Sequence, residues 1–283
     1  MKKKLYILIF TFISIQVIQP VEPAKAQGFG NLFSEVLSDK LGGVGDIIEN
    51  VLEGQEGKEN IDRYLPNIKK LGPRSINSGF TVHWFNGDIH MTVFRSEESD
   101  KVMLHELVHY LKLDFAMCDN SEINKMVLED FNINKDDRFV NLFEAFTDFI
   151  AIIFNSIINC IFVKGNLNNY IQMEIDYVEN QMNKILLHSG INHVKDLLDK
   201  SKNIFLEQYT SILSYYILKY FLMNSSDYVL RNFFPMSNTE WSQKDILELY
   251  NHIKNGISKY KKRINKQIIN NDSLSMSLIN LRY

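Results

Sequence analysis

The sequence predicts a mainly α chain with a small β-sheet, an α+β arrangement, and three observations predict it. Apolar residues recur at three- and four-residue spacing through most of the stretch from Ser96 to Ile264. One segment, "FTVHWFNGDIHMTVF", alternates with a two-residue period around an Asn-Gly turn signal. It stands directly before the first helical pattern, so the β element and the first helix are chain neighbours.

The chain opens with Met1-Lys-Lys-Lys4, an apolar run from Leu5 to Ile18, prolines at 20 and 23, and then Ala24-Lys25-Ala26. That is the layout of a cleavable export signal over 1–26, cut after Ala26. The apolar run is 14 residues, short of the roughly 20 a membrane span needs. A secreted or extracytoplasmic protein is therefore expected, with a signal-anchored membrane protein as the alternative. Residues 27–75 read as an N-terminal arm or pro-like segment, Gly-rich and amphipathic through Leu32, Phe33, Val36, Leu37 and Leu41. Such an arm can make peripheral membrane contact or remain a solvated linker. The main domain is expected over 76–265, and 266–283 reads as a weakly packed tail.

Within the main domain, a two-residue turn at Asn86-Gly87 would pair Phe85 with Asp88, Trp84 with Ile89 and His83 with His90. Ser96 or Ser99 can cap the helix that follows, with Glu97, Glu98 and Asp100 near its positive end. Further helices are expected over Ser121–Phe131, Arg138–Phe162, Leu167–Leu187, Val194–Ser201, Ile204–Met223 and Ser242–Ile264. Phe146–Val163 is very apolar, but Asp148, Asn155, Ser156 and Asn159 interrupt it. Net charge is −3 with a pI near 6.2, so no basic field draws in nucleic acid.

The chemistry concentrates in "HELVH". His105 and His109 are four residues apart, so on a helix they point the same way from successive turns and can converge on one ion. Glu106 lies about 100° around the helix from His105. It is placed to reach a water at the metal rather than the metal itself, which suits a general base. A third ligand must come from elsewhere. Asp114, Asp119, Glu122, Glu129 and Asp130 are near in sequence, and six residues past His109 stands Phe115 rather than a histidine. "NLFEAFTDFIA" is the better source. Glu144 and Asp148 share one face of an otherwise apolar helix, where an unpartnered carboxylate is very costly. A zinc ion for Glu144 and a ligand-histidine N–H for Asp148 would meet that need.

"HELVH" followed by "EAFTD" resembles the gluzincin pattern, H-E-x-x-H and then E-x-x-x-D, of thermolysin-like zinc metallopeptidases. The resemblance implies a zincin-like catalytic domain with a helical C-terminal part. It implies one zinc held by His105, His109 and Glu144, Glu106 as the base, and Asp148 orienting His105. It also implies an edge strand, here Asp88–Arg95, that pairs with an extended peptide substrate. The match covers about 60 residues, and the 34 residues between His109 and Glu144 exceed the thermolysin-like spacing. The pieces "EAFTDFIA" and "SYYILKY" also resemble metallopeptidase-like proteins of large DNA viruses.

The expected function is hydrolysis of a peptide bond by an exported zinc peptidase. The alternative is a non-catalytic protein of the same fold with a binding or structural role at an envelope or surface. An oxyanion donor is expected from the C-terminal half, among His188, His193, Tyr209, Tyr215 and Tyr216, and Tyr215 is preferred. It sits on "NIFLEQYTSILSYYILKY", where Glu207, Thr210, Ser211 and Ser214 follow helical spacing and Gln208, Ser211 and Tyr215 follow a neighbouring one, a polar face that either lines a cleft or meets solvent. If the helices bearing His109 and Glu144 run antiparallel, Cys118 and Cys160 fall towards opposite ends and no disulfide joins them.

Overall fold

The computed structural model describes residues 79–83, 89–93, 99–133, 139–163, 165–233, 241–264, 274, 275 and 278. The export signal, the N-terminal arm and the Asn-Gly turn expected from sequence fall outside the described residues. The described chain is mainly helical, as its periodicity predicts.

Two short strands, β1 (Gly79–His83) and β2 (Ile89–Val93), pair antiparallel and lie against the helix that follows. Their register corrects the expected one. His83 pairs with Ile89 and Val82 with His90, one residue away from the expected pairing of His83 with His90.

Seven α-helices follow among the described residues: α1 (Ser99–Tyr110), α2 (Ser121–Asp130), α3 (Leu142–Val163), α4 (Leu167–His188), α5 (Lys219–Asn224), α6 (Ser226–Phe233) and α7 (Gln243–Lys259). A 3₁₀ turn at Val194–Leu198 stands where a longer helix was expected, and a π-helical stretch, Leu213–Leu218, runs directly into α5.

Local chemistry sets several ends. Asn166 caps α4 by accepting from the Asn168 and Asn169 amides, and Ser242 with Asp245 closes a capping box on α7. After α4 the chain reverses through Gly190 at φ 73°, with the Ile191 amide donating to the Leu186 carbonyl.

α3 is the core helix. Long and apolar enough to cross a membrane by length and composition, it has 78% of that stretch buried inside the fold. Phe146, Phe149, Ile150 and Ile152 are fully enclosed, and α1, α4, the π-helical stretch and α5 pack around it. Phe115 and Trp241, with ring centroids 4.8 Å apart, close the core beneath α1 together with Phe146.

Other departures from expectation have visible causes. The helix expected from Ile204 begins only at Leu213. The preceding backbone is committed to a parallel bridge between Ile133 and Leu206, and the Gln208 side chain accepts from the Leu213 amide at 2.9 Å. α3 begins at Leu142, not Arg138, with the Asn141 carbonyl accepting from the Glu144 amide. α6 was not foreseen, because its Asn-Ser-Ser-Asp entry reads as a turn. The C-terminal tail is not wholly loose. Leu274 is fully buried, and its carbonyl accepts from the Tyr216 hydroxyl at 3.0 Å. Cys118 and Cys160 form no disulfide.

Candidate metal centre

α1 presents its apolar positions, Val102, Leu104, Leu107 and Val108, to the core and carries His105 and Glu106 in with them. His105 and Glu106 are 6% and 4% exposed. The helix stops one residue after His109. The Lys112 amide bonds back to the His109 carbonyl and the Leu113 amide to that of Val108, with Lys112 itself at φ 54°. This left-handed turn is normally a glycine's. It folds the chain straight back, so that Asp114 returns to His109.

Three ligand-type atoms then converge. His105 Nε2 lies 3.2 Å from Glu144 Oε2, the two histidine Nε2 atoms are 3.2 Å apart, and His109 Nε2 lies 3.7 Å from Glu144 Oε2. Donors at 2.0–2.2 Å around a tetrahedral zinc ion are separated by about 3.3–3.6 Å, which these spacings bracket. Among the described residues this is the group able to hold a metal ion. Both histidines turn their other nitrogen to a carboxylate. His105 Nδ1 is 3.0 Å from Asp148 Oδ1, and His109 Nδ1 is 2.5 Å from Asp114 Oδ2. An Nδ1 that donates to a carboxylate leaves Nε2 as the lone-pair nitrogen, the tautomer a metal requires. Asp114 is fixed in turn by the Thr147 hydroxyl at 2.7 Å.

Among the described residues around these atoms, carboxylates outnumber ammonium groups. Glu106, Asp114, Glu144 and Asp148 are four largely buried carboxylates, set against two buried ammonium groups, Lys101 and Lys219. With neutral histidines and all four carboxylates ionised, these six groups would sum to two net negative charges, a costly state when buried and one that a divalent cation would neutralise. Without a metal, a proton does part of that work. Burial disfavours charge on His109, but its hydrogen bonds to Asp114 and Glu144 outweigh that and push it up to about 11. Burial lowers His105 to about 4, against the pull of Glu144. Burial alone would raise Glu144, yet its hydrogen bonds to the two histidines hold it well below the usual carboxylate range.

Tyr215 comes from the π-helical stretch, a local distortion frequent at functional sites. Its hydroxyl donates to Glu144 Oε2 at 2.9 Å, and its ring lies 6.1 Å from that of His105. Burial, then the charges of Glu144 and Glu106, hold that hydroxyl well above its ordinary value, so it stays a donor. Of the polar face that precedes it, Glu207 is exposed and the rest meets protein rather than solvent. Thr210, Ser211 and Ser214 are buried, the Ser214 hydroxyl donates to the Asn141 carbonyl at 2.6 Å, and Asn141 Nδ2 donates to Ser211 Oγ at 3.3 Å. These bonds tie the stretch to the first turn of α3 and so place Tyr215 on Glu144.

The other donor candidates go elsewhere. Tyr209 bonds to Glu207, Tyr216 to Leu274, and His188 and His193 flank the Gly190 turn. Asp114, read from sequence as a direct-ligand candidate, is instead the partner behind His109. Lys101 and Lys219 both bind Asp148, Lys219 at 2.6 Å, and neither is visible as a site residue from sequence. Their spacing was the available signal: each stands four residues from a site residue.

No family model matches the chain, and no solved structure matches it. It is similar to uncharacterized protein R210 of Acanthamoeba polyphaga mimivirus, with 31% identity over 146 residues, covering 52% of this chain. The matched part spans 29% of that relative's length.

Proposed function

We propose that the protein is a zinc-dependent peptidase of the gluzincin type, with a zincin-like arrangement of β2, α1 and α3. The observation that carries the reading is the convergence of His105 Nε2, His109 Nε2 and Glu144 Oε2, with Asp148 and Asp114 behind the two histidines. These three residues would hold one zinc ion. When bound, such an ion polarises a scissile carbonyl and makes a water acidic enough to be deprotonated near neutral pH.

The chain's own groups divide the remaining work. Glu106, buried beside His105 and off its coordinating direction, is the base that takes and returns a proton at its carboxylate. Tyr215 is the donor, its hydroxyl kept protonated and anchored on Glu144, ready to turn to a developing oxyanion. Asp148 and Asp114 fix the imidazole rings and their tautomers. β2 lies against α1, and an extended peptide laid along that pair would pass beside the site. Export from the cytoplasm, and a peptide or protein substrate, complete the reading.

The test is cleavage of a broad peptide library by the full chain with and without Glu106→Gln. The expected result is cleavage by wild type and loss of it in the variant, with zinc retained. Wild type that holds zinc and cleaves nothing would favour a binding or structural role instead.

A further inference from the structure

The candidate centre is built in two layers on the same three segments. The upper layer is His105 on α1, Glu144 on α3 and Tyr215 on the π-helical stretch, joined at 3.2 and 2.9 Å. Four residues from each, about 6 Å along the axis, stand Lys101, Asp148 and Lys219. These three are joined as well: Lys101 bonds to Asp148 Oδ1, and Lys219 to Oδ2 at 2.6 Å. The offset is backwards on α1 and forwards on the other two segments, so the two layers stack face to face.

All three members of the lower layer are at most 1% exposed. Burying two ammonium groups and a carboxylate carries a desolvation cost that their attraction need not repay, so such a group is weak evidence for stability. Its best-attested use is to fix register between elements. Asp148 is also the partner of His105 Nδ1 at 3.0 Å. A shift of either lysine therefore reaches His105, and through it the atom that faces Glu144.

We infer that Lys101 and Lys219 are positioning residues for the metal centre, locking α1, α3 and the Tyr215 segment in the register that brings His105, Glu144 and Tyr215 together. This rests on the metal reading above and names the part of the fold that presets it. Charge alone argues the other way, since removing a buried cation near a metal site should tighten metal binding. The sign of the effect therefore separates positioning from electrostatics.

The experiment is Co²⁺ titration of the full chain, followed through the visible ligand-field bands, with thermal unfolding of each metal-free protein alongside. Lys101→Met and Lys219→Met are each expected to weaken Co²⁺ binding by about 10- to 100-fold, the range for lost partners behind metal ligands, and to change the band shape. Lys101→Gln and Lys219→Gln, which keep a donor for Asp148 and disturb folding less, are expected to weaken it by about fivefold or more. Lys254→Met, which removes a lysine bound to Asp130 at 2.6 Å, is the control and should leave both readouts as in wild type. Lysine variants that lose only thermal stability, keeping wild-type affinity and bands, would overturn the inference, and so would tighter binding. Wild type that takes up no Co²⁺ would remove the metal reading and this role with it.

Discussion

Loading the His105–His109–Glu144 group with a divalent cation must expel a proton. His109 is pushed up to about 11 and His105 down to about 4. Between those values the metal-free site holds its proton on His109, while His105 and Glu144 are already in the form a metal needs. A cation binding there displaces one proton. At pH 7 about four units separate solution from the His109 value, so competition from that proton costs the ion on the order of 5 kcal/mol. The penalty shrinks as pH rises. Affinity should therefore climb about tenfold per pH unit between pH 5.5 and 7, with about one proton released per ion bound. Isothermal titration with Zn²⁺ in buffers of different ionisation enthalpy measures both quantities. Affinity that stays flat across that range, or binding without proton release, would refute the assignment of His109 as the protonated ligand.

Three further predictions follow from the same geometry. Tyr215→Phe keeps the ring beside His105 and removes the hydroxyl, so kcat on a cleaved peptide should fall by about 10²- to 10³-fold with zinc content unchanged; a kcat within threefold of wild type would exclude Tyr215 as the donor. In metal-free protein His105 should contribute a loss of stability as pH falls from about 6.5 to about 4, because the folded state depresses it and so resists its protonation, while Asp100, raised by burial to about 6, acts in the opposite direction. His109 adds little slope there, since the folded chain keeps it protonated throughout and the unfolded chain protonates it as pH falls below about 6.5. The His105 contribution is at most about 3 kcal/mol, and urea melts at several pH values should show it as the difference between wild type and His105→Gln; an equal pH dependence in the two would contradict it. Phe115→Ala should cost about 3–5 kcal/mol in urea unfolding, because Phe115 is fully buried against Trp241 and Phe146; a cost under 1 kcal/mol would contradict that packing.

Residues that come together at the centre differ in how plainly the sequence marks them. His105 and His109 are legible from their spacing alone. Glu144 and Asp148 are legible because two carboxylates on an apolar helix require partners. Tyr215 could be preferred among several donors on the polar spacing around it, but not placed. Its placement depends on a π-helical stretch and on the bonds from Ser211 and Ser214 to Asn141, none of which periodicity encodes. Asp114 was hidden for a different reason. Its return to His109 needs a left-handed turn at position 112, and a lysine there does not announce one. Lys101 and Lys219 were hidden because lysine is rarely fully buried, so a solvated face is the default reading. At the β pair, the Asn-Gly signal pointed to His83 opposite His90, whereas His83 stands opposite Ile89 and the register moves by one.

Metal content of the purified full chain tests the central claim most directly. The three convergent atoms predict about one zinc per chain in wild type, and its loss in His105→Ala, His109→Ala and Glu144→Ala, with folded protein still present by far-ultraviolet circular dichroism. Wild type without bound zinc after incubation with the ion, or equal zinc in wild type and Glu144→Ala, would contradict it.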